Sequence, residues 1–266
     1  MYRILIFIYL LILNFLISCE NNSEPIDDSE NKFFPLKIGN YWIYNSYEKD
    51  FNNNIISSTQ TEDSVVIEFS ENILGEIAFY FVKYRNGKVN DTLIFAYSGQ
   101  NIYRLFDSNS IPIPNMIRTW FPVINFQTAK NITYNVYKKL INNYLYFEDN
   151  IVYTANYWHT INGEYTYNDS IDFENSKLAT KKFSNKYDSK LEYKKVRKLT
   201  ETSYDTLLVN RLMKYYDKYQ LVEGIGLFKL QRDSYTINTM TEPSSTFEKV
   251  EYVKGFESLL KRYKLK

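Results

Sequence analysis

Apolar and polar residues alternate along much of the first half of the chain, which is the period of a β-strand with one buried face. In Glu76–Tyr84, every second position on one face is apolar. Asn86-Gly87 follows, and this dipeptide favours the tight turn of a β-hairpin. The pattern predicts a four-stranded antiparallel meander over residues 62–106. Its strands are expected at Ser64–Ser70, Glu76–Tyr84, Thr92–Tyr97 and Asn101–Phe106.

A second group of strands is predicted after residue 130. Strand-like alternation covers Asn131–Tyr137 and Tyr144–Trp158, and Asn162-Gly163 then favours a hairpin turn into Glu164–Phe173. The lysine-rich residues 174–198 are ambiguous between strand and loop. Later strands are expected at Leu191–Leu199, Thr202–Val209, Arg211–Tyr219, Leu227–Ile237 and Thr246–Val253.

Two segments depart from this pattern. Residues 107–129 contain Pro112, Pro114 and Pro122. Because proline removes a donor from a strand ladder, they predict a long irregular connection. Near the C-terminus, apolar side chains recur at the i, i+3, i+4 and i+7 positions, which predicts a short amphipathic helix. Those side chains belong to Phe256, Leu259, Leu260 and Tyr263.

These elements predict an all-β, mainly antiparallel fold: a curved sheet, sandwich or half-barrel of about 10 to 12 strands, with a short C-terminal helix. One β-rich domain is expected over residues 33–266. It opens with FFPLKIGNYWIYNSY at 33–47 and contains GIGLFKL at 224–230 near its end. These motifs resemble the "FPLxxGNxWxY" opening and the "GxGL" strand start of many Bacteroidota lipoproteins. The resemblance implies an all-β envelope domain and no particular activity.

The first 18 residues have the composition of an export signal. Arg3 is their only charge, and the apolar run Ile4–Ile17 follows it. A helix of that run spans about 21 Å, which is short of a bilayer core of about 30 Å. A positive start, an apolar run and small residues are typical of a cleaved secretory signal peptide, here residues 1–18. An uncleaved membrane anchor is the alternative.

Cys19 is the only cysteine of the chain. Leu16-Ile17-Ser18-Cys19 resembles the lipobox of bacterial lipoproteins. The resemblance implies that Ser18 is the last residue removed and that Cys19 becomes an N-terminus carrying fatty chains such as palmitate. Several acyl chains hold a protein firmly, since each buried CH₂ contributes about 0.8 kcal/mol. The implied partner of Cys19 is a membrane, and the implied location is the bacterial outer membrane.

Residues 19–32 are expected to form a flexible acidic tether. The stretch ENNSEPIDDSE at 20–30 contains acids but no base, and it has too little apolar surface to pack. An acidic stretch behind a lipidated cysteine also resembles the surface-export signal of Bacteroidota lipoproteins. Display on the cell surface and on the periplasmic face both stay open.

Charge and composition argue against several classes of function. The chain has 32 basic and 31 acidic residues, so it has no general attraction to nucleic acid. Once Cys19 is acylated, no thiol remains for a disulfide, a nucleophile or a thiolate metal site. One histidine does not make a zinc site, and no acidic loop has the spacing of a calcium site. We expect no cofactor and no metal, and we assign no catalytic residue.

Aromatic residues make up 18% of the chain and are the candidates for ligand contact. Trp42 shares one face of a predicted strand with Tyr44 and is expected in the core, because aromatic residues at alternating positions are most often core residues. Trp120, in the proline-rich connection, and the neighbours Tyr157, Trp158 and His159 are the candidates for an exposed surface that contacts a glycan or an envelope protein. His159 is expected on a solvated strand face rather than in the role of a general base.

Three functions are compatible with these observations. The first is a lipid-anchored, non-enzymatic binding or structural module of the envelope. The second is a hydrolase that uses scattered carboxylates, which would require two of them about 5–10 Å apart with raised pKa values. The third is a carrier of a lipid or another apolar ligand, which would require a β-lined cavity of several hundred Å³ with Phe and Tyr in its walls.

Overall fold

The computed structural model describes residues 32–106, 117–148, 151–198, 204–242 and 246–266. The predicted signal peptide, the predicted lipidation site Cys19 and almost all of the predicted tether lie outside the described residues. Within the described ranges the backbone forms no helix of the length and apolarity that a bilayer crossing requires.

The described residues form 14 β-strands, so the prediction of an all-β fold is confirmed and the strand count was set too low. The strands are β1 (Tyr41–Lys49), β2 (Ile55–Ile73), β3 (Glu76–Arg85), β4 (Lys88–Ser98), β5 (Asn101–Phe106), β6 (Thr119–Asn125), β7 (Thr133–Glu148), β8 (Ile151–Phe173), β9 (Ser176–Lys198), β10 (Tyr204–Val222), β11 (Gly226–Arg232), β12 (Tyr235–Glu242), β13 (Thr246–Val253) and β14 (Phe256–Lys264).

All the strands belong to one antiparallel sheet. Its order is β6-β5-β4-β3-β2-β1-β14-β11-β10-β9-β8-β7. The last strand, β14, therefore pairs with the first, β1, and joins the N-terminal and C-terminal halves of the sheet. The hairpin of β12 and β13 continues beyond the end of β11 along the same edge of β10.

The predicted meander over residues 62–106 is confirmed as β2 to β5. Asn86 and Gly87 have φ values of 52° and 71°, as the tight turn between β3 and β4 requires. The hairpin between β8 and β9 turns at Glu174 and Asn175, which have φ values of 49° and 65°. These two-residue turns twist in the same sense as the strands, so strand pairing begins directly beside them, at Arg85 with Lys88 and at Phe173 with Ser176.

The hairpin predicted at Asn162-Gly163 is wrong, because β8 runs through both residues without a turn. Gly163 instead allows a side chain of the neighbouring strand to pack against the backbone. The ring of Tyr134, from β7, lies across it, and a Cβ at position 163 would come within 2.2 Å of the Tyr134 Cζ atom. The glycine therefore makes room for an aromatic side chain from the neighbouring strand.

The predicted long connection over residues 107–129 is only partly correct. Residues 107–116 lie outside the described residues, but β6 follows them and pairs with β5. Pro122 is accommodated because β6 is the last strand of the ladder at its end of the sheet. It also lies at a register shift, where Tyr103 pairs with Pro122 and Ile102 with Ile124.

The predicted C-terminal helix is a strand, β14. Tyr44 pairs with Leu260 and Ile43 pairs with Arg262, so Lys261 is the extra residue of a β-bulge. The bulge adds one residue to the alternation of a strand, and inward positions then fall at 256, 258, 260 and 263. This spacing imitates the i, i+4, i+7 spacing of a helix, which is why the sequence pattern was misread.

Three predicted strand boundaries also differ from the observed ones. Tyr144–Trp158 is divided between β7 and β8, β10 continues through the predicted gap at residue 210, and Leu227–Ile237 is divided between β11 and β12. The ambiguous residues 174–198 belong almost entirely to β9. Long twisted strands carry lysine and asparagine on their solvent faces. Because these residues are generally depleted in strands, the sequence pattern did not show that the strands are continuous.

The inner face of the sheet carries one large apolar core. The two end strands of the ladder approach each other across this core through side chains. The Tyr134 hydroxyl of β7 donates a hydrogen bond of 3.1 Å to the Val123 carbonyl of β6, and the Phe121 and Tyr137 rings are 4.6 Å apart. The curved sheet is therefore nearly closed, as in the predicted half-barrel.

Candidate functional site

A cavity of about 550 Å³ opens inside the curve of the sheet. Strands β1 to β5 form one part of its wall and β10, β11 and β14 form the other. Its lining combines aromatic and aliphatic side chains with two buried carboxylates and several cations. The principal lining residues are Phe34, Trp42, Tyr44, Asp63, Val65, Phe81, Lys83, Arg85, Leu93, Phe95, Arg104, Asp217, Tyr219, Leu227, Leu230, Arg232 and Phe256.

Aromatic rings from the start of the chain form the floor of this cavity. Trp42 stacks on Phe81 with ring centroids 5.8 Å apart, and Phe34 meets Phe95 edge to face at 5.3 Å. Trp42 is 2% exposed, so its predicted place in the core is confirmed. Close-packed rings of this kind give a rigid apolar surface.

The two motifs that suggested an envelope domain meet at this floor. The Trp42 indole donates a hydrogen bond of 2.7 Å to the Ile225 carbonyl, and the Tyr44 hydroxyl donates one of 2.7 Å to the Leu227 carbonyl. Gly226 has a φ of 100°, and a Cβ there would lie 3.0 Å from Pro35 Cδ. Only glycine combines this backbone conformation with this close approach.

One wall of the cavity contains a buried carboxylate held by two cations. Arg85 donates two hydrogen bonds to Asp63, of 2.7 and 2.9 Å, and the Lys83 ammonium lies 2.9 Å from the same carboxylate. Burial alone would raise the pKa of Asp63, but hydrogen bonds from Arg85, Lys83 and Ser46 outweigh burial and lower it to about 2. Asp63 is therefore ionised at neutral pH.

The opposite wall contains a second pair of this kind. Arg232 donates two hydrogen bonds to Asp217, of 2.6 and 2.8 Å, and its guanidinium lies 4.4 Å above the Tyr215 ring. Burial would lower the pKa of Arg232, but the bonds and charge of Asp217 outweigh it and raise the pKa. The pair is neutral as a unit, and its bidentate geometry fixes both side chains.

Arg104 is the third guanidinium in the lining. It is half-buried, and its Cζ atom lies 4.5 Å from the centre of the Phe106 ring. Among the described residues, the ion pairs of the cavity wall join Asp63 and Asp217 to other cations and leave Arg104 outside them. Tyr219 also lines the cavity. Burial and, after it, the negative charge of Asp217 raise the pKa of Tyr219 to about 12, and the positive charges of Arg104 and Arg232 partly counter this rise.

The sequence-based contact candidates lie elsewhere. Trp120 is half-buried on the outer face of the sheet, where its indole donates a hydrogen bond of 3.0 Å to the Ile73 carbonyl. Trp158 is also half-buried, and the Lys190 ammonium lies 5.2 Å from its ring centre. The structure therefore does not gather these aromatic side chains into one surface.

His159 and Tyr157 face the interior, so the expected solvated position of His159 is wrong. His159 is 0% exposed and its Nδ1 atom lies 3.2 Å from the Tyr157 hydroxyl. Burial lowers the pKa of His159 to about 4, so the ring is neutral at physiological pH. Strand β8 places alternate residues on opposite faces, and its odd-numbered residues face the core. Neither residue lines the cavity, and their role in contacting a ligand stays a prediction.

The charged residues of the cavity were missed at the sequence level. A signal was present, because Asp63 shares a strand face with Val65 and Ile67, and Asp217 shares one with Tyr215 and Tyr219. A carboxylate at an apolar position of a strand has to be paired in the interior. Among the described residues, no group of three or more His, Cys, Asp or Glu side chains is arranged to hold a metal ion.

No family model matches the chain, and no curated protein matches it. Two solved structures that are similar to it come from Bacteroidetes species. One, provisionally assigned as a lipoprotein of Parabacteroides distasonis, shares 13% identity with a TM-score of 0.42 and covers 87% of this chain and 98% of its own. The other, provisionally assigned as an exported protein of Bacteroides fragilis with a YmcC-like fold, shares 11% identity with a TM-score of 0.37 and covers 88% of this chain and 99% of its own. Likeness at this level carries no argument about activity or ligand.

Proposed function

We propose that the chain is a lipid-anchored protein of the bacterial envelope that binds a small apolar or amphipathic molecule in the cavity of its curved sheet. The observation that carries the proposal is the cavity of about 550 Å³ with an aromatic floor. Ligand sites in proteins have volumes of about 300–1,000 Å³ and apolar walls with a few well-placed polar groups. The cavity agrees with that description in size and in lining.

The proposed location depends on the start of the chain. The apolar run before Cys19 and the lipobox-like Leu16-Ile17-Ser18-Cys19 support export and acylation. Attachment to the outer membrane, at the surface or at the periplasmic face, would keep the cavity next to a source of apolar molecules. A carrier in this position would not need a catalytic group.

The hydrolase hypothesis receives less support from the same geometry. A general acid needs a carboxyl group whose pKa is raised toward neutrality. Arg85 and Lys83 hold the pKa of Asp63 well below that range. Asp217 uses both of its carboxylate oxygens to accept hydrogen bonds from Arg232. Both carboxylates are therefore occupied in stabilising the cavity wall.

Filling the cavity tests the proposal. The variant Leu93→Trp adds a large side chain to the lining of β4, while Val89→Trp places the same side chain at a position that is 61% exposed on the same strand. The full chain would be purified from membranes, and the amphiphiles bound to it would be extracted and measured by mass spectrometry.

We expect Leu93→Trp to retain less than about a fifth of the amphiphile that the wild type retains, because the ligand and the indole compete for the same volume. Val89→Trp should retain the full amount. Equal retention by the wild type and both variants would show that the bound molecules do not occupy the cavity, and the proposal would then be wrong.

A further inference from the structure

We propose that the ligand of this cavity carries an anionic head group, which the guanidinium of Arg104 binds with the help of the Tyr219 hydroxyl, while an apolar chain lies on the floor of Phe34, Trp42 and Phe81. This inference rests on the proposed function and specifies its ligand class. The chemistry is that of a single-chain amphiphile whose head is a carboxylate or a phosphate.

The lining of the cavity contains four cations and four acids, but two of the acids are exposed and none of the cations is. Four cationic side chains in the lining are half-buried, and only Asp63 and Asp217 are buried carboxylates. The other two acids of the lining, Glu48 and Asp91, are exposed at the rim, and Glu48 pairs with Lys254, 2.7 Å away. The interior therefore has an excess of positive charge, which favours a negatively charged ligand. The four cations are Lys83, Arg85, Arg104 and Arg232.

Arg104 is the cation that is available for this ligand. Arg85 and Arg232 each use a bidentate pair of donors on a buried aspartate. Arg104 lies against the face of the Phe106 ring, and within the described part of the chain no hydrogen bond or ion pair engages the N–H groups of its guanidinium. A half-buried cation without a counter-ion is costly, and an anionic head group would remove that cost.

Tyr219 adds a hydroxyl donor to the lining of the same cavity. It is buried, and burial raises its pKa to about 12, so its hydroxyl keeps the proton at neutral pH. A cation and a protonated hydroxyl together are suited to a carboxylate or phosphate oxygen.

The test uses two photoreactive probes of equal chain length, hexadecanoic acid and hexadecanol, each with a diazirine near the end of the tail. The probes are added to membranes that contain the full chain, irradiated, and the labelled peptides are identified by mass spectrometry. Three chains are compared: the wild type, Arg104→Gln, and the matched control Arg118→Gln, whose exposed arginine lies outside the cavity lining.

We expect the acid to label the peptides of the cavity floor at least about tenfold more than the alcohol, because a hydrogen bond to a charged group contributes that much to affinity. Arg104→Gln should reduce labelling by the acid to the level of the alcohol and leave labelling by the alcohol unchanged. Arg118→Gln should behave as the wild type. Competition by unlabelled hexadecanoate or hexadecyl phosphate then identifies the preferred head group.

The labelling results distinguish a failure of the anionic head group from a failure of the proposed function. Equal labelling of the wild-type floor by acid and alcohol would overturn the anionic head group and leave the proposed function standing. A preference for the acid that survives Arg104→Gln would overturn the role of Arg104. Labelling of the wild-type floor by neither probe would overturn both. Because the first and last comparisons use only the wild type, they do not depend on the folding of a variant.

Discussion

At the scale of single residues, the informative positions are the polar residues that share a strand face with apolar ones. Asp63 and Asp217 are 0% and 3% exposed, and each is held by an arginine through two hydrogen bonds. Removing one partner of such a pair leaves an uncompensated charge in the interior. The aspartates therefore bear on the stability of the sheet as well as on the chemistry of the cavity.

Asp63→Asn is expected to weaken the fold in a pH-dependent way. Since the pKa of Asp63 is lowered to about 2 in the folded state and is about 3.9 in an unfolded chain, the stability that its ionised form contributes is complete above pH 4. It is lost as the pH falls toward 2. We expect the variant to lose about 1–3 kcal/mol of unfolding free energy at pH 7 and clearly less at pH 3. Urea denaturation at the two pH values measures this difference.

Asp91→Asn is the matched control, because Asp91 is an exposed acid of the same sheet, on β4, which β3 separates from β2. Its unfolding free energy should stay within about 0.5 kcal/mol of the wild type at both pH values. If the gap between the wild type and Asp63→Asn stayed the same at pH 7 and pH 3, the carboxylate would not be the source of the stability.

The predicted ligand-contact residues of β8 show which structural question their sequence could not answer. Because successive side chains of a strand point to opposite faces, Tyr157 and His159 share one face of β8 and Trp158 lies on the other. This much could be predicted from the sequence. Which of the two faces is buried depends on the strands packed beside and across from it. For this reason the burial of His159 was not predictable from its neighbours in the sequence.

At the scale of elements, the alternation of apolar and polar residues predicted most strands correctly, whereas the Asn-Gly dipeptides predicted one turn correctly and one wrongly. Asn86-Gly87 forms the predicted turn, whereas Asn162-Gly163 lies inside a strand of 23 residues. The same dipeptide has two outcomes because a glycine is compatible both with a positive φ and with a ring packed against the backbone. The Tyr134 ring that distinguishes the two cases comes from another strand.

The bulge in β14 makes a testable prediction about chain length. Deleting Lys261 removes only the extra residue, so Leu260 and Arg262 keep their partners Tyr44 and Ile43. The deletion also removes an exposed ion pair with Glu62, of 2.6 Å, which contributes little. We expect the loss in unfolding free energy to be about 1 kcal/mol, as measured by thermal or urea denaturation followed by circular dichroism.

Deleting Leu259 is the contrasting variant. It would shift Lys261 into the position of Leu260, which is 4% exposed, and would bring an ammonium group into the core. The expected loss is more than about 4 kcal/mol or a failure to fold. Similar stability of the two deletions would contradict the assignment of Lys261 as the bulged residue.

At the scale of the whole molecule, side chains rather than backbone bring the ends of the sheet together. The Val123 carbonyl of β6 accepts hydrogen bonds of 3.1 Å from both Tyr134 and Asn185, which belong to β7 and β9. The Phe126 and Phe183 rings meet edge to face at 5.5 Å. These contacts curve the sheet around the core, and the curvature creates the cavity that the proposed function requires.

The proposed anchor makes a prediction about the mature molecule. Mass spectrometry of protein taken from its own membranes should find Cys19 as the N-terminal residue, carrying two or three fatty chains. Residues 1–18 should be absent. An intact bond between Ser18 and an unmodified Cys19 would contradict lipidation and, with it, the proposed location in the outer membrane.

The sequence by itself determined the local features of this protein: the alternation of its strands, the turn at Asn86-Gly87, the core position of Trp42 and the all-β class. These depend on neighbours within a few residues, where geometry and burial preference act directly. Only the tertiary structure decided which faces are buried, that β14 pairs with β1, and that Asp63, Arg104 and Asp217 line one cavity. Those outcomes depend on contacts between residues far apart in the chain, and alternation along a single strand contains no information about its partners.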